Sequence, residues 1–202
     1  MTVRSLFATP LYEASLGDEA LVAELLEACH GLQDEDEAGQ AWSREHGYGG
    51  YTSYGSLDDL PRRMSVFDDL RRRLDRHAKV FAKAAHMDLG SGRLKLDSLW
   101  VNVLNPGAAH SGHIHPHAVI SGTVYVAVPK GASALKLEDP RLPAMMAAPP
   151  RASDAPEEAR SFVYLTPAPG ALYLWESWLR HEVPANQAKA ARVSISFNYG
   201  WR

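Results

Sequence analysis

After Gly90-Ser91-Gly92 the spacing of apolar residues changes from about 3.6 to 2 and holds there to the end of the chain. That switch limits the fold more than any other feature. Before it, Asp18 is placed to cap a helix whose stripe is Leu21, Val22, Leu25, Leu26 and Cys29, stopping at His30-Gly31. A longer helix is predicted over 64–87, with Phe67, Leu70, Leu74, Ala78, Phe81 and Ala85 inward and Arg71-Arg72-Arg73 in water. Residues 3–13 read as a short edge strand broken at Pro10. Residues 33–60 have no periodicity and read as a long loop in which Trp42, Tyr48, Tyr51 and Tyr54 can line a pocket mouth.

Beyond the switch, strands are predicted at Leu94–Leu104, Ile120–Val128, Ala134–Glu138, Ser161–Leu165, Ala171–Trp175 and Ala191–Tyr199, separated by Pro/Gly turns. The Pro-rich stretch 139–160 reads as an excursion, a candidate flap. Helices first and then many short strands imply a mainly β fold with flanking helices. The closed solution is a jelly roll, a double-stranded β-helix, with the N-terminal helices packed on one sheet. With 202 residues, one domain over 1–202 is expected: a helical and edge-strand part at 1–92 and a jelly-roll core at 93–202.

A net charge of −3 offers no basic field, so nucleic acid is not an expected partner. One cysteine, Cys29, allows no internal disulfide, and no stretch has the length and apolarity of a membrane span. The expected setting is cytoplasmic.

The chemistry concentrates at His113-Ile114-His115-Pro116-His117. On an extended backbone these three imidazoles share one face, and neutral imidazole is the commonest ligand of zinc, copper, iron and nickel. His181, far downstream, can close the site from a neighbouring strand. Three imidazoles leave positions open for oxygen and substrate in a non-haem iron centre, and they equally suit a catalytic zinc. One turn and one strand later, Arg192, Ser194, Ser196 and Asn198 alternate with Val193, Ile195, Phe197 and Tyr199. An arginine and a serine two apart on a strand form a clamp for a carboxylate, with a bidentate charged pair and a hydroxyl. His30, His46, His77, His86 and His110 are expected to lie outside the site. Trp175 and Trp178 read as packing near His181, and Glu176 and Glu182 as acceptors for an imidazole N–H.

Several segments carry a specific resemblance: Trp100-Val101-Asn102-Val103, His113-Ile114-His115-Pro116, Ser121-Gly122-Thr123-Val124-Tyr125-Val126, Glu138-Asp139-Pro140-Arg141, the run from Ser177 to Asn186, and Arg192-Val193-Ser194-Ile195-Ser196-Phe197-Asn198. Together they resemble a bacterial and phage family of 2-oxoglutarate/iron(II) oxygenases across roughly residues 98–199. The resemblance implies a dioxygenase, with Fe(II) as metal, 2-oxoglutarate as small-molecule cosubstrate, ascorbate in support and an unknown substrate, the expected reaction being hydroxylation. It implies His113, His115 and His181 as metal ligands and catalytic residues, Arg192 and Ser194 on the far carboxylate, and Asn102 and Tyr125 as further cosubstrate contacts. His115 stands where the wider group has Asp. The pair His113/His115 is preferred to His115/His117. The rival readings are a cupin-like metal enzyme that does not use 2-oxoglutarate (a zinc hydrolase, an isomerase or a thiol dioxygenase) and a non-catalytic metal-binding protein.

Overall fold

In the computed structural model, which describes residues 2–202, two antiparallel sheets face each other. The elements run in the order β1 (Leu11–Ser15), α1 (Glu19–Glu35), α2 (Glu37–Glu45), β2 (Gly50–Thr52), α3 (Ser65–Ala84), β3 (Leu94–Leu104), β4 (His110–His113), β5 (Ile120–Ala127), β6 (Leu135–Glu138), β7 (Phe162–Leu165), β8 (Ala171–Glu176), β9 (His181–Val183) and β10 (Arg192–Trp201). The larger sheet has the order β1-β8-β5-β10-β3-β2, and the smaller β4-β9-β6-β7. Removing the edge strands β1 and β2 leaves two four-stranded sheets, the double-stranded β-helix expected from the periodicity. The N-terminal part is joined to this core, because it supplies both edge strands of the larger sheet.

The alternation of apolar and polar residues decides which face each strand shows. Leu99, Val101 and Val103 of β3 and Val193, Ile195, Phe197 and Tyr199 of β10 point outward into one apolar layer with Leu25, Phe67, Leu70, Leu74 and Phe81 of the helices. The opposite face of the same strands turns toward the smaller sheet. There a second cluster includes Leu104, Tyr125, Leu135, Trp175 and Val183.

The structure corrects four expectations. β1 does not straddle Pro10 but begins after it, pairing Leu11–Ser15 with β8 at the sheet edge. α1 continues through Gly31 to Glu35, since the cost of one helical glycine, about 1 kcal/mol, is offset by packing of Leu32 against the core. Residues 33–60 are not one loop, for they hold α2 and β2. The stretch 139–160 contains two short 3-10 turns, Leu142–Ala144 and Glu157–Ala159.

Asp36 organises the region between α1 and β2. Its backbone N–H closes α1 on the Leu32 carbonyl, and its side chain accepts from Gly39 N at 3.0 Å to start α2. The same carboxylate accepts from Tyr51 Oη at 2.9 Å and Ser56 Oγ at 2.5 Å. A Cβ at Gly39 would displace this carboxylate from its partners. Asp36→Ala is therefore expected to remove a helix cap and leave the buried Tyr51 hydroxyl unpaired, costing about 2–4 kcal/mol. A urea titration reads this as a lower midpoint, and Asp36→Asn, which keeps a capping oxygen, should recover part of the loss.

Candidate metal and cosubstrate site

The cavity between the sheets measures about 490 Å³, counting the space where it opens to solvent. His113 ends β4, directly opposite His181, the first residue of β9. His115 lies just past β4, fixed by its backbone N–H donating to Ser177 O at 3.0 Å. One ring nitrogen from each of the three lies within 4.8 Å of the other two. His115 Nε2 and His181 Nε2 are 3.2 Å apart. The Nδ1 atoms of His113 and His181 sit 2.8 and 2.9 Å from the carbonyls of Ser111 and Leu179. A neutral ring that donates from Nδ1 carries its lone pair on Nε2, the nitrogen an ion would take. Those acceptors are backbone carbonyls and not the expected carboxylates. Glu182 instead pairs with Lys136 at 2.7 Å.

Burial keeps these rings neutral. It pulls His181 down to about 3 and His115 to about 4, and it lowers His113 as well. All three thus present lone pairs at neutral pH.

His117 is not part of this arrangement. It sits exposed in the turn after Pro116, in the left-handed region at φ 69°, so the alternation that would have aligned it ends at His115. His110, expected to lie outside the site, is inside it. Its ring stacks on His113 with centroids 4.4 Å apart, stands edge-on to Tyr48, and burial lowers it to about 4. Residues three apart on a regular strand face opposite ways, but β4 is irregular between His110 and His113, and the extra residue turns both rings to one side. The sequence signal was present as a fourth histidine beside the cluster, and the irregularity that makes it count was not.

Of the aromatic residues in 33–60, Tyr48 lines the cavity. Tyr51 is buried against Asp36, while Trp42 and Tyr54 continue in T-shaped contacts to Trp100, which stacks over His115 at 5.8 Å. The residues around the cavity include none from 139–160.

Arg192, Ser194 and Ser196 of β10 all face the cavity. Arg192 is 4% exposed, yet among the described residues no carboxylate pairs with it. Its Nη2 donates to Tyr125 Oη at 2.8 Å, its guanidinium lies 4.5 Å over that ring, and its Nε has no partner. A buried cation left without a counter-ion is costly unless an anion is to be received there. Asn102 is held by Thr52 Oγ1 at 2.9 Å and itself donates to Ser196 Oγ at 3.1 Å. The wall beside the guanidinium is thus a fixed polar surface.

A family model described as "Putative 2OG-Fe(II) oxygenase" matches residues 98–198, half of the chain. The chain belongs to the 2OG-Fe(II) oxygenase family. As a member it is a 2-oxoglutarate-dependent iron oxygenase, with Fe(II) and 2-oxoglutarate as metal and cosubstrate. A comparison with curated proteins found no match. Solved structures share the oxygenase fold at low identity. A prolyl-4-hydroxylase from Pseudomonas putida superposes with TM-score 0.62 at 15% identity, covering 94% of this chain and 92% of that one. AviO1 from Streptomyces viridochromogenes gives 0.64 at 14%, with 96% and 90% covered. HygX from Streptomyces hygroscopicus, with iron bound, gives 0.60 at 12%, with 96% and 83% covered.

The residues fit the pair of ligands that the family uses. Three converging imidazole nitrogens suit Fe(II), and an unpaired buried guanidinium suits a carboxylate. Loss of an imidazole is expected to weaken the metal more than loss of a supporting contact does, so His113→Ala and His181→Ala should each lower Fe(II) or Zn(II) affinity by more than about 100-fold. His117→Ala should bind like the wild type. Calorimetric titration of the metal distinguishes the two sets.

Proposed function

We propose that His113, His115 and His181 hold Fe(II), and that Arg192 and Ser194 grip the distal carboxylate of 2-oxoglutarate, with Tyr125 and Asn102 completing its pocket. The observation that carries this reading is the shared cavity: converging imidazoles and an uncompensated guanidinium line the same space. When bound, the iron and cosubstrate would supply oxidative decarboxylation, in which 2-oxoglutarate and O2 give succinate and CO2, one oxygen atom entering succinate and the other the substrate. The expected reaction here is hydroxylation at a C–H bond, with the chain acting as one domain.

Each protein group has a separate task. Ser111 and Leu179 accept the imidazole protons and so fix the rings. Arg192 neutralises the distal carboxylate, and Tyr125 Oη, already accepting from Arg192, holds the guanidinium in place. The Thr52–Asn102–Ser196 chain keeps the wall rigid while the acid binds. Trp100 and half-exposed Tyr54 form an aromatic rim that runs to His115, a surface suited to the apolar part of a substrate.

Anaerobic addition of 2-oxoglutarate to the Fe(II)-loaded protein is expected to produce a metal-to-ligand charge-transfer band in the visible. No band under saturating metal removes the reading. Arg192→Ala should weaken the titration of that band by about 10–150-fold, the equivalent of a charge-assisted pair at about 1.5–3 kcal/mol. An unchanged titration would instead favour a metal enzyme that takes no 2-oxoglutarate.

A further inference from the structure

Among the described residues, three buried side-chain polar atoms lack a hydrogen-bond partner: Ser133 Oγ, Trp175 Nε1 and Arg192 Nε. Ser133 lies in the β5–β6 connection, away from the cavity. The other two belong to cavity-lining residues. Buried donors are nearly always paired in folded proteins, so two orphans on one cavity indicate a ligand that supplies acceptors. Arg192 is accounted for by a carboxylate. Trp175 is not, and packing alone would be served as well by phenylalanine, which has no N–H to bury.

The register puts the two orphans at opposite ends of the cavity. Arg192 pairs with Leu104 at the start of β10. Six residues on, Asn198 pairs with Ser121, and Ser121 pairs with Trp175 across the next strand. From these separate rows the two side chains converge on one cavity, Arg192 against Tyr125 and Trp175 beside His181. Trp175 is thus at the imidazole end, and its ring stands edge-on to His181 with centroids 4.8 Å apart. The acceptor it meets has to lie beside the metal ligands. It cannot be the end of the diacid held by Arg192.

We propose that the Trp175 indole N–H is a cosubstrate-binding group, donating to a carboxylate oxygen at the keto-acid end of 2-oxoglutarate. The inference rests on the assignment of that acid to this cavity. It gives the diacid a donor at each end, a cation at the distal carboxylate and a neutral N–H at the proximal one. A neutral donor suits the second position, because it adds a directed bond without adding another positive charge next to the metal.

The test uses the full chain loaded with zinc, which is diamagnetic and suits three imidazoles. The 15N-labelled indole signal of Trp175, assigned by its absence in Trp175→Phe, should move downfield when 2-oxoglutarate is added to the zinc-loaded protein. Zinc alone should not produce that shift. Trp175→Phe should bind zinc as the wild type does and 2-oxoglutarate about tenfold more weakly, a loss within the range of one hydrogen bond to a charged group. An indole signal that stays put when the acid binds overturns the proposal, whatever the variant does. A wild-type protein that takes zinc and no 2-oxoglutarate overturns the assignment of the cosubstrate, and this inference with it.

Discussion

The structure depends on the register of β10. This strand lies between β3 and β5 in the larger sheet, and its two faces do incompatible things. Val193, Ile195, Phe197 and Tyr199 are buried against the helices, while Arg192, Ser194 and Ser196 face the cavity. Because side chains alternate, a slip by one residue would drive a guanidinium and two hydroxyls into the apolar layer and place four large apolar groups in the site. Burying an unpaired guanidinium in hydrocarbon costs far more than the whole stability of an ordinary domain can absorb. The apolar residues therefore fix the position of the polar ones. The same logic runs through β3, where Leu99, Val101 and Val103 anchor the strand whose other side presents Trp100 and Asn102.

Strands with two chemically distinct faces were readable for this reason. The period of 2 in β3, β5 and β10 located the inward residues to within the strand, and the metal-binding candidates at strand ends followed from them. What could not be read arises where the backbone departs from its period. The irregularity in β4 places His110 on the same side as His113, and a left-handed residue at position 117 ends the alternation. Neither can be seen from spacing alone, because each inverts the face that spacing predicts. α2 was missed for another reason. It buries Gly39 and Ser43 and no large apolar residue, so it has no stripe to detect, and its placement comes from the Asp36 carboxylate and the strand beneath it. Trp175 shows a third kind of gap: the sequence makes it packing, and only the inventory of partners shows that its N–H is left over.

The charge of the cavity follows from its lining. It contains four imidazoles kept neutral by burial and one guanidinium, and no aspartate or glutamate. A divalent ion held by neutral rings would keep its full charge, and with Arg192 the interior would then carry three positive charges and no negative one. A site in which one ligand is a carboxylate would neutralise part of this before any cosubstrate arrived. In the proposed arrangement the neutralisation would fall to the dianionic acid, which would remove two charges at once, one end beside the metal and the other beside Arg192. Each partner is consequently bound more tightly in the presence of the other, and by linkage the gain is the same in both directions. With the proposed ligands, the metal would be held more weakly by the empty protein than by the protein carrying its acid, so a neutral His115 in place of a carboxylate would shift affinity from the metal alone to the metal and cosubstrate together. In a cavity shielded from water this coupling is stronger than the same charges would show at a surface, because the low dielectric that lowers the histidines also deepens the attraction between the ion and the diacid.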